Sequence, residues 1–337
     1  AMTAMHGFGL GLASKNNRGE ILEVFYPKPL CNLSGNLADC LSGVSGELDA
    51  SALNELANAL LTVNEQEQAE LAQQLRESNT TVVATPLVEN AAPESVADAY
   101  LKLHLLSHRL VRPHGTNLDG VFGLLPNNAW TNQGAICLND LPQRQLDARL
   151  RGEVLEVSSV DKFPKMTNYV VPTGVRIAHT ARIRLGAYLG EGTTVMHEGF
   201  INFNAGTEGP GMVEGRISAG VWVGAGSDLG GGCSTMGTLS GGGNIVISVG
   251  RECLIGANAG LGIPLGDRCT IEAGLFITAG TKVTLLDGAR KPVETVSARD
   301  LAGKSDLLFR RNSTSGTVEC LTNRSAIELN DSLHANN

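Results

Sequence analysis

Apolar positions change their spacing once along the chain. Between Leu48 and Ser78 they fall three and four apart, in LNELANALL and AELAQQL, which predicts helix. TVVATPLV at 81–88 predicts a strand. AYLKLHLLSHRL, within Val96 to Leu110, predicts a second helix stopped by Pro113. The first 170 residues therefore read as α/β material. From Val171 the spacing becomes six: Val171, Ile177, Ile183, Leu189, Val195 and Ile201 follow one another without a miss. The phase breaks over 202–216 and resumes at Ile217, Val223 and Leu229. After a second break it returns at Val249, Ile255 and Leu261, and a last register holds Leu265, Ile271, Ile277 and Val283.

A period of six fits neither a helix, at about 3.6, nor a hairpin array. It fits a coil whose flat faces are short strands, each contributing one inward aliphatic, with small or left-handed residues at the corners. Three faces close a triangular prism. The stretch 171–283 then makes about five or six coils of roughly eighteen residues, stacked at the ~4.8 Å strand spacing. Glycines keep the same period at 186/192, 220/226 and 250/256/262.

Composition agrees. The chain has 337 residues and 41 glycines, of which 25 lie in 186–280, and only 4% aromatics, as a narrow aliphatic core requires. The net charge of −8 argues against a nucleic-acid binder. No window of eighteen apolar residues predicts a membrane span, and no basic stretch followed by an apolar one predicts a secretory leader. Seven cysteines occur without a C-x-x-C spacing, so neither a disulfide framework nor a zinc site is expected, and the expected compartment is the cytoplasm.

A prism has no cleft of its own, so chemistry is expected where the period breaks. The first break, 197–218, is read as a long loop carrying His197, Glu198, Glu208, Glu214 and Arg216. A carboxylate or imidazole there can act as general base, and Arg216 can grip a carboxylate with two hydrogen bonds. Solvated corner residues are the bland alternative. The second break, 230–244, is rich in glycine and hydroxyls, so its backbone can approach a ligand closely. His104 and His108 stand four apart on the second predicted helix. With no third ligand evident they are read as a packed face rather than a metal site.

Several stretches go beyond a fold. RIRLGAYLGEGTTVMHEGFINFNAGTEG, MVEGRISAGVWVGAGSDLGGGCSTMGTLSGGGN and LIGANAGLGIPLGDRCTIEAGLFITAGTKV closely resemble the tetrahydrodipicolinate N-succinyltransferase family. The match is to its longer form, found in actinobacteria and pseudomonads. KLHLLSHRLVRPH, LLPNNAWTN, DKFPKMTNYVVPTGVRI and LLFRRNS match as well. The resemblance covers nearly all of the chain after about residue 80.

It implies a left-handed parallel β-helix over 166–285, an N-terminal α/β domain over 1–165, and a C-terminal segment, 286–337, that completes the CoA site. It implies transfer of succinyl from succinyl-CoA to the amine of ring-opened tetrahydrodipicolinate, in the diaminopimelate–lysine pathway. It also implies a homotrimer with active sites between adjacent prisms. Glu198 takes the family's catalytic position, and a role as base is favoured over an acyl-anhydride, with glycine-rich backbone amides steadying the thioester oxyanion. Acyl-CoA and substrate contacts fall on Gly215, Arg216, Ser218, Gly241, Gly256, Ala257 and the run Arg310, Arg311, Asn312 and Ser313, with Lys282 as a further contact. No tightly bound cofactor is implied. Some relatives carry magnesium on the trimer axis, but no ligand constellation is legible and no metal residue is assigned. Two other readings remain: an acetyl-CoA transferase of the same repeat class, using His197, and a non-enzymatic β-helix scaffold.

Overall fold

A computed structural model of the chain describes residues 2–237 and 245–321. The chain divides into two compact units, 1–171 and 172–337.

The first unit is built on a twelve-residue strand, Ala4–Lys15, which the helical and strand patterns did not single out. It pairs antiparallel with Ile21–Phe25, Leu30–Ser34 and Thr81–Leu87. Its glycines alternate, and the reason is steric: a Cβ on Gly9 would stand 2.5 Å from the Tyr26 ring and 2.9 Å from Leu101. The bare face lets the helix Val96–Ser107 pack close. The predicted helix over 48–78 is two helices, Ala50–Thr62 and Gln66–Leu75, because Asn64 between them adopts a left-handed φ of 61°.

His104 is fully buried on the second helix, with Nδ1 bonded to the Tyr100 carbonyl and Nε2 accepting from the Tyr26 amide. Burial depresses its pKa to about 3. Both nitrogens are engaged, so the packed reading of His104 and His108 holds and a metal role for His104 does not. The histidine rings stack at 6.2 Å.

The second unit is a parallel β-helix with three faces. On the first, Ala187–Leu189, Ala205–Thr207, Trp222–Val223 and Ser248–Val249 stack in parallel. On the second, Arg176–Ile177, Thr193–Val195, Gly211–Val213, Asp228–Leu229, Leu254–Ile255 and Thr270–Ile271 do the same. The third carries Phe200–Ile201, Arg216–Ile217, Ser234–Thr235, Gly260–Gly262 and Phe276–Thr278. Every hexad aliphatic from Ile183 onward points inward, none more than 3% exposed. Two expected positions fail: Val171 is 71% exposed, and Ile177, on the first rung, is only half-buried.

Among the described residues both breaks in the aliphatic period carry strand. Residues 202–216 form two more strands, and the sixfold step continues from Ile201 through Thr207 to Val213. The step goes unseen in an aliphatic pattern because Thr207 fills the inward place, its hydroxyl bonded to that of Thr193 at 2.8 Å. Thr235 likewise extends the run from Leu229 and donates to the Arg216 carbonyl at 2.8 Å. The corner glycines supply what side chains cannot, as at Gly220 and Gly226, whose φ values are 86° and 77°.

Beyond Val283 the chain turns back. Lys282–Leu286 pairs antiparallel with Pro292–Ser297. Leu308–Arg311 then adds a seventh rung to the second face, placing fully buried Phe309 against Ile271, and pairs antiparallel with Val318–Leu321. All seven cysteines are free thiols, and Cys233, Cys253, Cys269 and Cys320 are buried. No helix among the described residues is long and apolar enough to cross a membrane.

Candidate active site

Part of the expected site falls on one corner of the prism, between the second and third faces. Its turns stack coil on coil through backbone bonds. Met196 donates to Val213, Glu214 to Leu229, Gly230 to Ile255, Gly256 to Ile271, and Glu272 to Phe309. Glu198, Gly215, Gly256, Ala257 and the Arg310–Asn312 run therefore lie along a single edge. Five rungs separate the level of Glu198 from that of Arg310, which is about 24 Å at the strand spacing.

His197 and Glu198 occupy a turn between Thr193–Val195 and Phe200–Ile201, not a strand. The alternation that would have sent them to opposite faces does not operate, and both are exposed. What separates them is a partner. Arg182, one coil away, donates from Nη2 to Glu198 Oε2 at 3.1 Å, while the Glu198 side chain remains 78% exposed. Arg182 was not anticipated. Its signal in sequence is faint: opposite charges sixteen residues apart, close to one coil.

Arg216 is exposed on the third face, in register between Phe200 and Ser234. Its guanidinium has no hydrogen-bond or ion-pair partner among the described residues. Gly215, just before it, is required by packing, since a Cβ there would stand 2.3 Å from Cys233 Sγ. Burial pushes the Cys233 thiol up to about 12, so it remains a protonated packing group.

Ser218 sits at the opposite edge of the third face. Its hydroxyl donates to the Thr235 carbonyl at 2.6 Å, and a Cβ built on Gly237 would stand 3.7 Å from its own Cβ. It thus adjoins the start of the glycine-rich segment. Gly241, in that segment, lies outside the described residues. Glu208 is not part of the Glu198 corner: Arg251 grips it with two bonds of 2.8 and 3.3 Å where the first face leads into the second.

Three of the glycine amides expected to steady an oxyanion are engaged within the stack. Those of Gly230, Gly232 and Gly256 donate to the carbonyls of Ile255, Glu214 and Ile271. The arginine run is also partly engaged. Arg310 Nε and Asn312 Nδ2 each hold one oxygen of buried Glu319, at 3.0 and 2.9 Å. Arg311 donates from Nη1 to the Gly316 carbonyl at 2.9 Å, and Ser313 is exposed on the turn. These bonds rigidify the hairpin that displays the run. Lys282 lies apart from Glu198, its ammonium on Ser297 Oγ at 3.0 Å. Among the described residues no three His, Cys, Asp or Glu side chains are gathered to hold a metal ion.

The chain is similar to known proteins along nearly its whole length. Residues 49–123 and 125–165 match the models of the N-terminal and middle parts of tetrahydrodipicolinate N-succinyltransferase, and 246–279 match the hexapeptide repeat of succinyl-transferase. A Pseudomonas putida 2,3,4,5-tetrahydropyridine-2,6-dicarboxylate N-succinyltransferase is 64% identical, covering 99% of both chains. Its Vibrio cholerae counterpart is 56% identical over 99% of this chain and 100% of its own. A Campylobacter jejuni crystal structure, described as a 2,3,4,5-tetrahydropyridine-2-carboxylate N-succinyltransferase, superposes with a TM-score of 0.87 at 33% identity, covering 96% of this chain and 93% of its own. With sequence identity sustained from end to end and the same β-helix beneath it, the chain belongs to the tetrahydrodipicolinate N-succinyltransferase family.

Proposed function

We propose that Glu198 is the general base of this succinyltransferase and Arg216 the anchor for an acceptor carboxylate. The enzyme transfers succinyl from succinyl-CoA to the amine of ring-opened tetrahydrodipicolinate, giving N-succinyl-2-amino-6-oxopimelate and CoA in the diaminopimelate–lysine pathway. The observation that carries the residue assignment is the shared corner. An exposed carboxylate and an exposed guanidinium, unpaired among the described residues, stand on neighbouring coils. The amine nitrogen attacks the thioester carbonyl carbon and passes a proton to Glu198. The tetrahedral intermediate then expels CoA as thiolate, which takes that proton. Direct transfer needs no further intermediate.

Succinyl-CoA is laid along the prism edge in this reading, its thioester near Glu198 and its phosphates toward Arg310 and Arg311. Lys282, Gly256, Ala257, Ser218 and Gly241 remain contacts of the ligand or of its groove. The coils wind left-handed, and the protein works in the cytoplasm. A CoA-release assay tests the reading: succinyl-CoA with tetrahydrodipicolinate or 2-aminopimelate supports turnover, and acetyl-CoA does so poorly. Equal rates with the two donors would remove the succinyl assignment.

Three prisms around one axis form the working enzyme, each groove completed by a neighbour. Phe276, 56% exposed on the third face, and the near balance of charge over 171–283 favour side-by-side contact. Light scattering should give a mass near three times 35.3 kDa, and a monomer at micromolar concentration would rule the trimer out. Arg216→Lys keeps the charge but loses the planar fork. The expected result is a raised KM for the acceptor with a smaller change for succinyl-CoA; unchanged values for both would leave Arg216 a surface residue.

A further inference from the structure

The outward column of the third face begins with an arginine the reaction scheme leaves unused. Ile183 pairs with Ile201 across neighbouring coils, so Arg182 stands level with Phe200, and Arg216 follows on the next coil. The two arginines thus flank Phe200, about 10 Å apart at two strand spacings. Their states differ. Arg216 is unpaired among the described residues, whereas Arg182 is committed to one oxygen of Glu198.

The backbone of Arg182 is held from both sides. It ends the short turn Thr180–Arg182, whose first free amide, that of Ala181, is capped by His179 Nδ1 at 3.3 Å. Ile183, the next residue, is completely buried in the prism core. Glu198 has no such support, because it lies on an exposed turn and its carboxylate has no other partner among the described residues. An ion pair this exposed adds little to stability, since both groups are well hydrated when apart. Its consequence is geometric: it fixes one carboxylate oxygen and leaves Oε1 without a partner among the described residues.

We infer that Arg182 is the positioning residue for the catalytic base, holding Glu198 Oε2 so that Oε1 accepts the amine proton. This rests on the assignment of Glu198 as base. Arg182 touches neither substrate nor donor and acts only through Glu198. His197 on the same turn, Glu214 and Arg216 on the following coil and His179 on the preceding one are charged or titratable groups that also face this corner among the described residues.

The test is a set of full-length variants assayed for CoA release. Arg182→Gln should lower kcat on the order of tenfold to a hundredfold, the scale of a misplaced reacting group, with the KM of succinyl-CoA within about twofold. Arg182→Lys, which keeps a donor of the same charge, should recover part of that loss. On a Glu198→Gln background, Arg182→Gln should cost almost nothing more, because the group it positions is already disabled. An unchanged kcat in Arg182→Gln overturns the inference. So does a raised acceptor KM with kcat preserved, which would make Arg182 a substrate anchor, and so does an equal further loss on the Glu198→Gln background. Normal turnover in Glu198→Gln alone would instead sink the base assignment itself.

Discussion

Glu198→Gln is expected to reduce turnover by ~10²–10⁴-fold, the usual contribution of a general base. The amide keeps the shape and one acceptor oxygen of the carboxylate but cannot take the amine proton. Succinyl-CoA binding and assembly should survive, because no volume is removed and the side chain is 78% exposed. His197→Gln is the necessary companion. Both residues share one exposed turn, so backbone geometry alone does not choose between them. The ion pair to Arg182 does, because it orients Glu198. The pair of variants, measured at saturating substrates, decides: near-normal turnover in Glu198→Gln, or a collapse confined to His197→Gln, would move the role to histidine.

Gly256→Ala should behave as a folding variant before it behaves as a binding variant. A Cβ at this position would stand 2.4 Å from the Ala273 amide nitrogen and 2.7 Å from its Cα. That obstacle is backbone of the next coil, fixed by the ladder of Ile255 on Ile271, so it cannot swing aside as a side chain would. Overpacking of this kind costs about 1–3 kcal/mol or more. For a unit of this size that lowers the melting temperature by about 2–12 °C. Thermal unfolding followed by circular dichroism reads the effect, and titration with CoA well below the transition reads binding. A melting curve identical to wild type with weakened CoA binding would show that the glycine serves the ligand and not the stack.

These two residues also mark how far the sequence could be read. The prism was legible because each face needs one inward aliphatic and the chain supplies Val, Ile or Leu at most rungs. It was misread where threonine takes the same place. Thr207 and Thr235 are polar in isolation, yet each satisfies its hydroxyl inside the stack, so two coils looked like interruptions. Periodicity also has no sense of where a repeat starts, and Val171 fits the phase while standing in solvent. The candidate site was legible in part. Glu198 and Arg216 stood out at the break in the repeat and again through resemblance, but the partnership with Arg182 depends on the pitch of the coil, which no local motif states. The last rung, Leu308–Arg311, was invisible as structure because 38 residues separate Phe309 from Ile271, the rung beneath it. The alternating glycines of Ala4–Lys15 carry no apolar signal at all, although they decide how closely a helix can approach.

That last rung also answers a hazard inherent in the architecture. A stack of parallel coils ends in a row of amide and carbonyl groups that could template another chain, as in a growing fibril. Here the final strand of the second face reverses direction into Val318–Leu321, and Phe309 fills the core above Ile271. Val318–Leu321 pairs in turn with Lys282–Leu286, and that strand with Pro292–Ser297, so the row is spent within the molecule and the edge left over belongs to a strand that opens on a proline. The hairpin that displays Arg310 and Arg311 therefore also closes the second face against templating another chain.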